Sequence, residues 1–103
     1  MKNKFSVVML LSIVGLFSNS AFALDAWATG KVLVLAADPS DVVAVLSQKG
    51  PCGSGYFHIQ RKRANFKEFF SVAETAFTQK GNLTVHIVDC AGDRNITSHG
   101  WVD

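Results

Sequence analysis

Residues 65–81, NFKEFFSVAETAFTQKG, decide the fold of this chain. Apolar side chains recur here at spacings of three, four and seven, which predicts a stripe along one face of an α-helix. The stripe consists of Phe66, Phe69, Phe70, Ala73, Ala76 and Phe77. The polar face carries Lys67, Ser71, Glu74, Thr75 and Thr78. Asn65 and Glu68 have the spacing of a capping box, and Gly81 is placed to end the helix in the left-handed conformation.

Short runs rich in β-branched residues flank this helix on both sides. They predict strands over residues 26–37, 42–47, 56–60, 82–89 and 96–102. Clusters of Gly, Pro, Asp and Asn separate them and predict turns or loops at residues 38–41, 48–55 and 92–95. The order β-β-β-α-β-β in a small antiparallel protein predicts a mostly β, five-stranded, OB-fold-like barrel. A helix packed on a flat, open antiparallel sheet is the alternative.

The alternation along the strands indicates which side chains meet the helix in the core. The expected core contains Phe66, Phe69, Phe70, Ala73, Phe77, Val34, Phe57, Ile59, Val85 and Ile87. Four phenylalanines on one short helix are typical of core packing rather than of a cofactor site, so no cofactor is expected.

The first 23 residues have the organisation of a secretory signal peptide. Lys2 and Lys4 precede an apolar run over residues 5–17, and Ala21-Phe22-Ala23 offers the small residues of a cleavage site. The run is shorter than the roughly 20 residues that a membrane span needs. Cleavage after Ala23 leaves residues 24–103 as a single OB-like domain, with no membrane partner after cleavage. Without the two leader lysines, the basic and acidic residues balance.

Cys52 and Cys90 are the two cysteines of the chain, and both lie in the mature part. An even number of cysteines in an exported small domain predicts a disulfide. The bridge closes a loop of about 39 residues, which is worth on the order of 4 kcal/mol in the chain-entropy model. Two free thiols and half of a metal site are the alternatives, but neither a Cys-x-x-Cys spacing nor a clustered histidine supports them. No metal site is expected.

Candidate catalytic residues are sparse. The histidines are His58, His86 and His99. His58 and His86 lie on predicted strands with no second histidine two or four residues away, and half-exposed, hydrogen-bonded strand histidines are the expectation. A metal site that Asp89 or Asp93 completes, if the two strands are neighbours, is the alternative. Ser54 lies between two glycines but lacks the Gly-x-Ser-x-Gly spacing of a nucleophile elbow. We therefore expect no catalytic residues and no enzyme. The basic segment 61–63 is interpreted as a solvated turn, because export and a zero mature net charge argue against a nucleic-acid partner.

One part of the chain resembles a known family. A Phe-His-Ile strand, a short basic stretch, the Asn-Phe-Lys-Glu-Phe-Phe helix start and a Val-His-Ile-Val strand resemble the OB-fold B subunits of subtilase-cytotoxin-type toxins, over about 35 residues between Tyr56 and Cys90. The chain is also similar to small secreted bacterial proteins that share that barrel. The resemblance implies a ring of five copies that binds sialylated glycans, partly through a serine beside an acidic residue. Ser40 and Asp41 are the comparable pair and the candidate ligand-binding residues.

These observations predict a periplasmic or secreted, non-enzymatic binding module for a glycan or a protein. A protein that occupies or inhibits a larger partner is the alternative function. We expect a monomer, since the apolar face of the helix is needed by its own core, with a ring oligomer as the alternative. The exposed aromatics discriminate the functions. A groove lined by Trp27, Tyr56 and Trp101 favours sugar stacking, and burial of these residues favours a protein partner.

Overall fold

The computed structural model describes residues 24–103, so the predicted leader lies outside the described residues. The elements are β1 (Ala26–Ala37), β2 (Asp41–Leu46), β3 (Tyr56–Gln60), α1 (Phe66–Gln79), β4 (Asn82–Ala91) and β5 (Arg94–Val102). The predicted order and the mostly β class are confirmed. Strand β5 starts at Arg94 rather than Ile96, because Gly92 adopts φ 63° and the chain turns within two residues.

The five strands form a closed barrel in the order β1-β2-β3-β5-β4. Most neighbouring strands are antiparallel, and the parallel pair β3–β5 closes the ring. The alternative of a flat, open sheet is therefore wrong. Closure pairs most of the strand edges that an open sheet would expose.

The core lies between the barrel interior and α1. Phe57, Ile59, Val85 and Ile87 are buried, as the strand alternation predicts. From the helix, Phe69, Ala73 and Ala76 enter the barrel. Small residues at two of these three positions let the helix approach the sheet closely.

Two members of the predicted core are exposed instead. Val34 is 49% exposed, because β1 has a bulge between Val32 and Val34 that shifts the alternation, so that Leu35 packs on the core. Phe77 is 41% exposed. At about 100° per residue, Phe77 lies roughly 80° around the helix from Phe69.

The same rotation explains why the remaining helix phenylalanines are only half-buried. Phe66 and Phe70 lie roughly 60° and 100° from Phe69, on the same side as Phe77, and their rings stack with centroids 5.8 Å apart. These three residues form a second apolar stripe beside the buried one, at the edge of the barrel.

Both predicted helix caps are wrong in detail. The Asn65 side chain makes no capping hydrogen bond, and its Nδ2 donates to Ser98 O at 3.0 Å on β5. Lys80, not Gly81, adopts the left-handed conformation, and its backbone N–H donates to Ala76 O. Gly81 is required for a different reason, since a Cβ there would lie 2.9 Å from Asp103 O.

The predicted disulfide between Cys52 and Cys90 is present, with the two Cα atoms 5.5 Å apart. It ties the loop before β3 to the end of β4. Buried Asn95 fixes the same loop: its Oδ1 accepts from Cys52 N at 3.0 Å, and its Nδ2 donates to Ser54 O and Tyr56 O, each at 2.9 Å. A disulfide of this kind is compatible with an oxidising periplasmic or extracellular location.

Candidate functional site

Two clusters of histidine and aromatic side chains lie on the outside of the barrel. The first is the Trp–His patch, which consists of Trp27, His86, His99 and Trp101. Strand register creates it: Trp27 pairs with His86, and His86 pairs with His99, so one row of side chains crosses β1, β4 and β5. Trp101 is two residues beyond His99 and therefore lies on the same face.

The two indoles of this patch are exposed and close together. Trp27 is 48% exposed and Trp101 is 47% exposed, and their ring centroids are 5.1 Å apart. The imidazole of His86 lies 4.5 Å from the Trp27 ring and 5.1 Å from that of His99. The patch is therefore a continuous aromatic surface that water reaches.

A series of hydrogen bonds, which we call the hydrogen-bonded chain, fixes the histidine rings of the patch. Asp25 Oδ1 lies 2.7 Å from His86 Nε2, and Ser98 Oγ lies 2.9 Å from His86 Nδ1 and 2.8 Å from His99 Nδ1. A carboxylate only accepts, so His86 Nε2 donates to Asp25. With a neutral His86, its Nδ1 accepts from the Ser98 hydroxyl, and the Ser98 oxygen accepts from His99 Nδ1. Each nitrogen and oxygen atom named in this hydrogen-bonded chain then has a partner.

A bulge in β5 makes this chain of bonds geometrically feasible. Ile87 pairs with Thr97 and His86 pairs with His99, so Ser98 is an extra residue on β5. Two successive side chains, Ser98 and His99, therefore face His86 together. Beside them, Thr29 Oγ1 and Thr84 Oγ1 are 2.8 Å apart, and Thr84 pairs with Trp101. Hydroxyl groups thus border the indole surface.

The second cluster lies on β2, β3 and β5. Asp41 Oδ2 is 2.7 Å from His58 Nδ1, and Arg94 Nη1 is 3.0 Å from His58 Nε2. A guanidinium only donates, so His58 accepts through Nε2 and donates through Nδ1 to Asp41. The Arg94 guanidinium also lies 4.3 Å from the Tyr56 ring centroid, in a cation–π contact. Tyr56 therefore belongs to this cluster and not to the Trp–His patch.

Ser40 and Asp41, the predicted ligand-binding pair, lie in different environments. Ser40 is exposed in the β1–β2 turn, where its carbonyl oxygen accepts from Arg61 N at 3.2 Å. The Asp41 side chain is only 15% exposed, and its carboxylate is engaged by His58. Ligand binding by this pair stays a prediction.

The remaining candidates from the sequence, Ser54 and the basic segment 61–63, make contacts within the fold. The Ser54 hydroxyl donates to Asp93 O at 2.6 Å, within the disulfide-linked loop region. In the basic segment, Arg61 donates to Asp38 O at 3.3 Å and lies over the Phe66 ring at 5.5 Å. Within residues 24–103, no group of three His, Cys, Asp or Glu side chains is arranged to hold a metal ion. The same residues contain no helix of the length and apolarity needed to cross a membrane.

Sequence reasoning missed the Trp–His patch as a unit. Trp27, His86 and Trp101 are far apart in sequence, and only the register of three strands brings them together. The alternation of Trp27 with alanines does indicate that its indole faces outward. Comparisons with protein-family models, with curated proteins and with solved structures yield no match for this chain.

Proposed function

We propose that this chain is an exported, non-enzymatic binding module and that its Trp–His patch binds a glycan. The observation that carries the proposal is the pair of exposed indoles whose centroids are 5.1 Å apart. Exposed tryptophans are costly to leave in water, and they are enriched where proteins bind ligands.

A sugar suits this surface because a pyranose has one face of C–H groups and a rim of hydroxyls. The C–H face packs on the electron-rich face of an indole. The hydroxyl rim meets the exposed polar groups beside the indoles, which are the His99 imidazole and the Thr29 hydroxyl. A purely apolar ligand would cover His99 Nε2, which takes no part in the bonds to Ser98, without offering it a partner, at a cost of about 1–3 kcal/mol.

Two observations support export. The leader has the tripartite order of a signal peptide, and the Cys52–Cys90 disulfide suits an oxidising compartment. We place the protein in the periplasm or outside the cell.

Tryptophan fluorescence tests the ligand site directly, because both tryptophans of the chain lie in the Trp–His patch. A glycan array on the purified protein identifies sugars that bind, and titration with a bound sugar is expected to change the emission. Trp101→Ala is expected to weaken binding by about tenfold or more, as for loss of a central aromatic anchor.

Tyr56→Ala is the matched control, since Tyr56 is an exposed aromatic outside the patch. Its sugar affinity should equal that of the wild type. An array with no bound glycan, or equal losses in the two variants, would contradict the proposed site. Turnover of a substrate that is lost in His86→Ala would contradict the non-enzymatic function.

A further inference from the structure

Strand β1 changes partners half-way along its length. Residues 26–31 pair with β4, and residues 32–37 pair with β2. Within residues 24–103, no strand pairs with the other edge of residues 32–37. This part of the barrel therefore has an open strand edge, which we call the β1 edge.

The hydrogen bonding of the β1–β2 hairpin shows which backbone groups face the β1 edge. Asp38 N donates to Asp41 O at 2.7 Å, so this pair is a hydrogen-bonded one. Hydrogen-bonded and non-bonded pairs alternate in antiparallel strands. The pair Ala36–Val43 is consequently bonded, and the N–H and C=O groups of Leu35 and Ala37 are directed away from β2.

An apolar wall faces this edge across a groove of about 430 Å³. The wall is the second stripe of α1, formed by Phe66, Phe70 and Phe77, and Leu35, Ala36 and Ala37 line the opposite side. Leu33 extends the apolar surface along the strand and is 58% exposed. The groove therefore has hydrogen-bonding groups along one side and phenyl rings along the other.

Positive charge is placed at both ends of the groove. Arg61 lies at the end near Ala37. At the other end, Lys31 Nζ donates to Lys80 O at 2.8 Å, so both ammonium-bearing side chains border the continuation of the groove past Phe77. Glu74 is the acidic residue along its wall.

We propose that the β1 edge and the α1 wall together bind an extended segment of a partner protein, which adds to the barrel as a further strand. The open N–H and C=O groups favour a ligand with a polypeptide backbone, which can bond to them as a further strand, whereas a lipid chain would leave them without partners. The phenyl rings favour apolar side chains at alternate positions, because successive side chains of a strand point to opposite faces. The cations favour carboxylates at the ends of the segment. This activity is independent of the proposed glycan site, which lies on the first half of β1.

Hydrogen exchange on the purified protein tests whether the β1 edge is open. The amides of Leu35 and Ala37 are expected to exchange rapidly, whereas those of Val34 and Ala36, which face β2, are protected. Protection of Leu35 and Ala37 in the isolated protein would mean that the edge is already covered and would overturn the proposal. Light scattering on the same sample shows whether a second copy of the chain covers the β1 edge.

Selection from a phage library of randomised nine-residue peptides tests the partner chemistry. Enriched peptides are expected to alternate apolar and other residues, to carry Asp or Glu near their ends, and to protect the Leu35 and Ala37 amides when bound. Selection that yields no peptide, or peptides that leave these amides unprotected, would overturn the proposal.

Three variants test separately how the β1 edge, the α1 wall and the lysine charge contribute to peptide affinity. Ala37→Pro removes an N–H that faces away from β2, so the barrel is retained while peptide affinity falls by about tenfold. Phe77→Ala and Lys80→Glu should also weaken binding, and Lys49→Glu, at an exposed lysine in the β2–β3 loop, should not. Equal affinity of Ala37→Pro and wild type would overturn the strand-addition geometry. Failure of this proposal leaves the tryptophan fluorescence test of the glycan site unaffected.

Discussion

Truncation of Phe69 measures how α1 is seated in the barrel. Phe69 is 3% exposed, and its Cε1 would lie 3.2 Å from a Cβ placed on Gly100 of β5, so the ring fills the space between helix and sheet. Phe69→Ala therefore leaves a cavity, and we expect it to lower the free energy of unfolding by about 3–5 kcal/mol. That is a large part of the stability of a domain of this size.

Phe77→Ala is the variant with which the destabilisation by Phe69→Ala is compared. Phe77 is 41% exposed and opens onto the β1–α1 groove, so its loss leaves no closed cavity. Full burial of a phenylalanine is worth about 1.5–3 kcal/mol, and the buried fraction of Phe77 gives roughly 1–2 kcal/mol. Both changes gain the same helix propensity, so this term cancels in the difference.

Urea unfolding followed by tryptophan fluorescence measures both variants, with the disulfide intact. A difference of about 2–3 kcal/mol separates the two midpoints by roughly 2–3 M at a slope near 1 kcal/mol/M. Thr78→Ala on the solvent side is the control and should lie within about 0.5 kcal/mol of the wild type. Equal destabilisation by Phe69→Ala and Phe77→Ala would refute the helix rotation described above.

Three further predictions concern the chain as a whole. Cys52→Ser is expected to destabilise the protein by about 2–5 kcal/mol, and peptide mapping without reductant should show one cross-linked pair; equal melting with and without reductant would contradict a stabilising bridge. Intact-mass measurement on exported protein should give a chain that begins at Leu24, and recovery of full-length protein from the cytoplasm would contradict the leader. Light scattering should give the mass of one chain, whereas a mass near five chains would favour a toxin-like ring.

The elements of this fold could be predicted because each has a local cause. The helix stripe, the alternation in β3 and β4, and the Gly- and Pro-rich loop around Cys52 are readable over a few residues, and the barrel follows from their order. The disulfide could be predicted from the even number of cysteines and the expected export of the chain.

The errors have equally specific causes. The prediction that Val34 lies in the core is wrong because strict alternation does not reveal a bulge, and the extra residue in β1 reverses the faces beyond it. The prediction for Phe77 is wrong because the apolar face of α1 is wider than the part of the helix that packs on the barrel core. Lys80 adopts the left-handed conformation, so the glycine at position 81 is explained by its close approach to Asp103 O rather than by its φ angle.

The candidate site depended on information that no local pattern carries. Trp27, His86 and His99 meet through the registers of β1–β4 and β4–β5, and a shift of one residue in either would separate them. The hydrogen-bonded chain also needs Ser98, whose role comes from its position as an unpaired residue in β5. Sequence could indicate outward-facing aromatics but not their assembly.

The extra residue in β5 also limits how the polar part of the Trp–His patch can change. A second shift follows between Ile87 and Asp89, where Val88 is the extra residue of β4, so the two irregularities offset each other and the register is the same on either side of them. Deletion of Ser98 would leave Val88 unmatched and displace residues 94–97 of β5 from their partners on β3 or β4. Replacement of Ser98 by alanine would instead keep the register and the two indoles, and would remove only the hydroxyl that joins the two imidazoles. The polar part of the patch can therefore change by substitution but not by deletion.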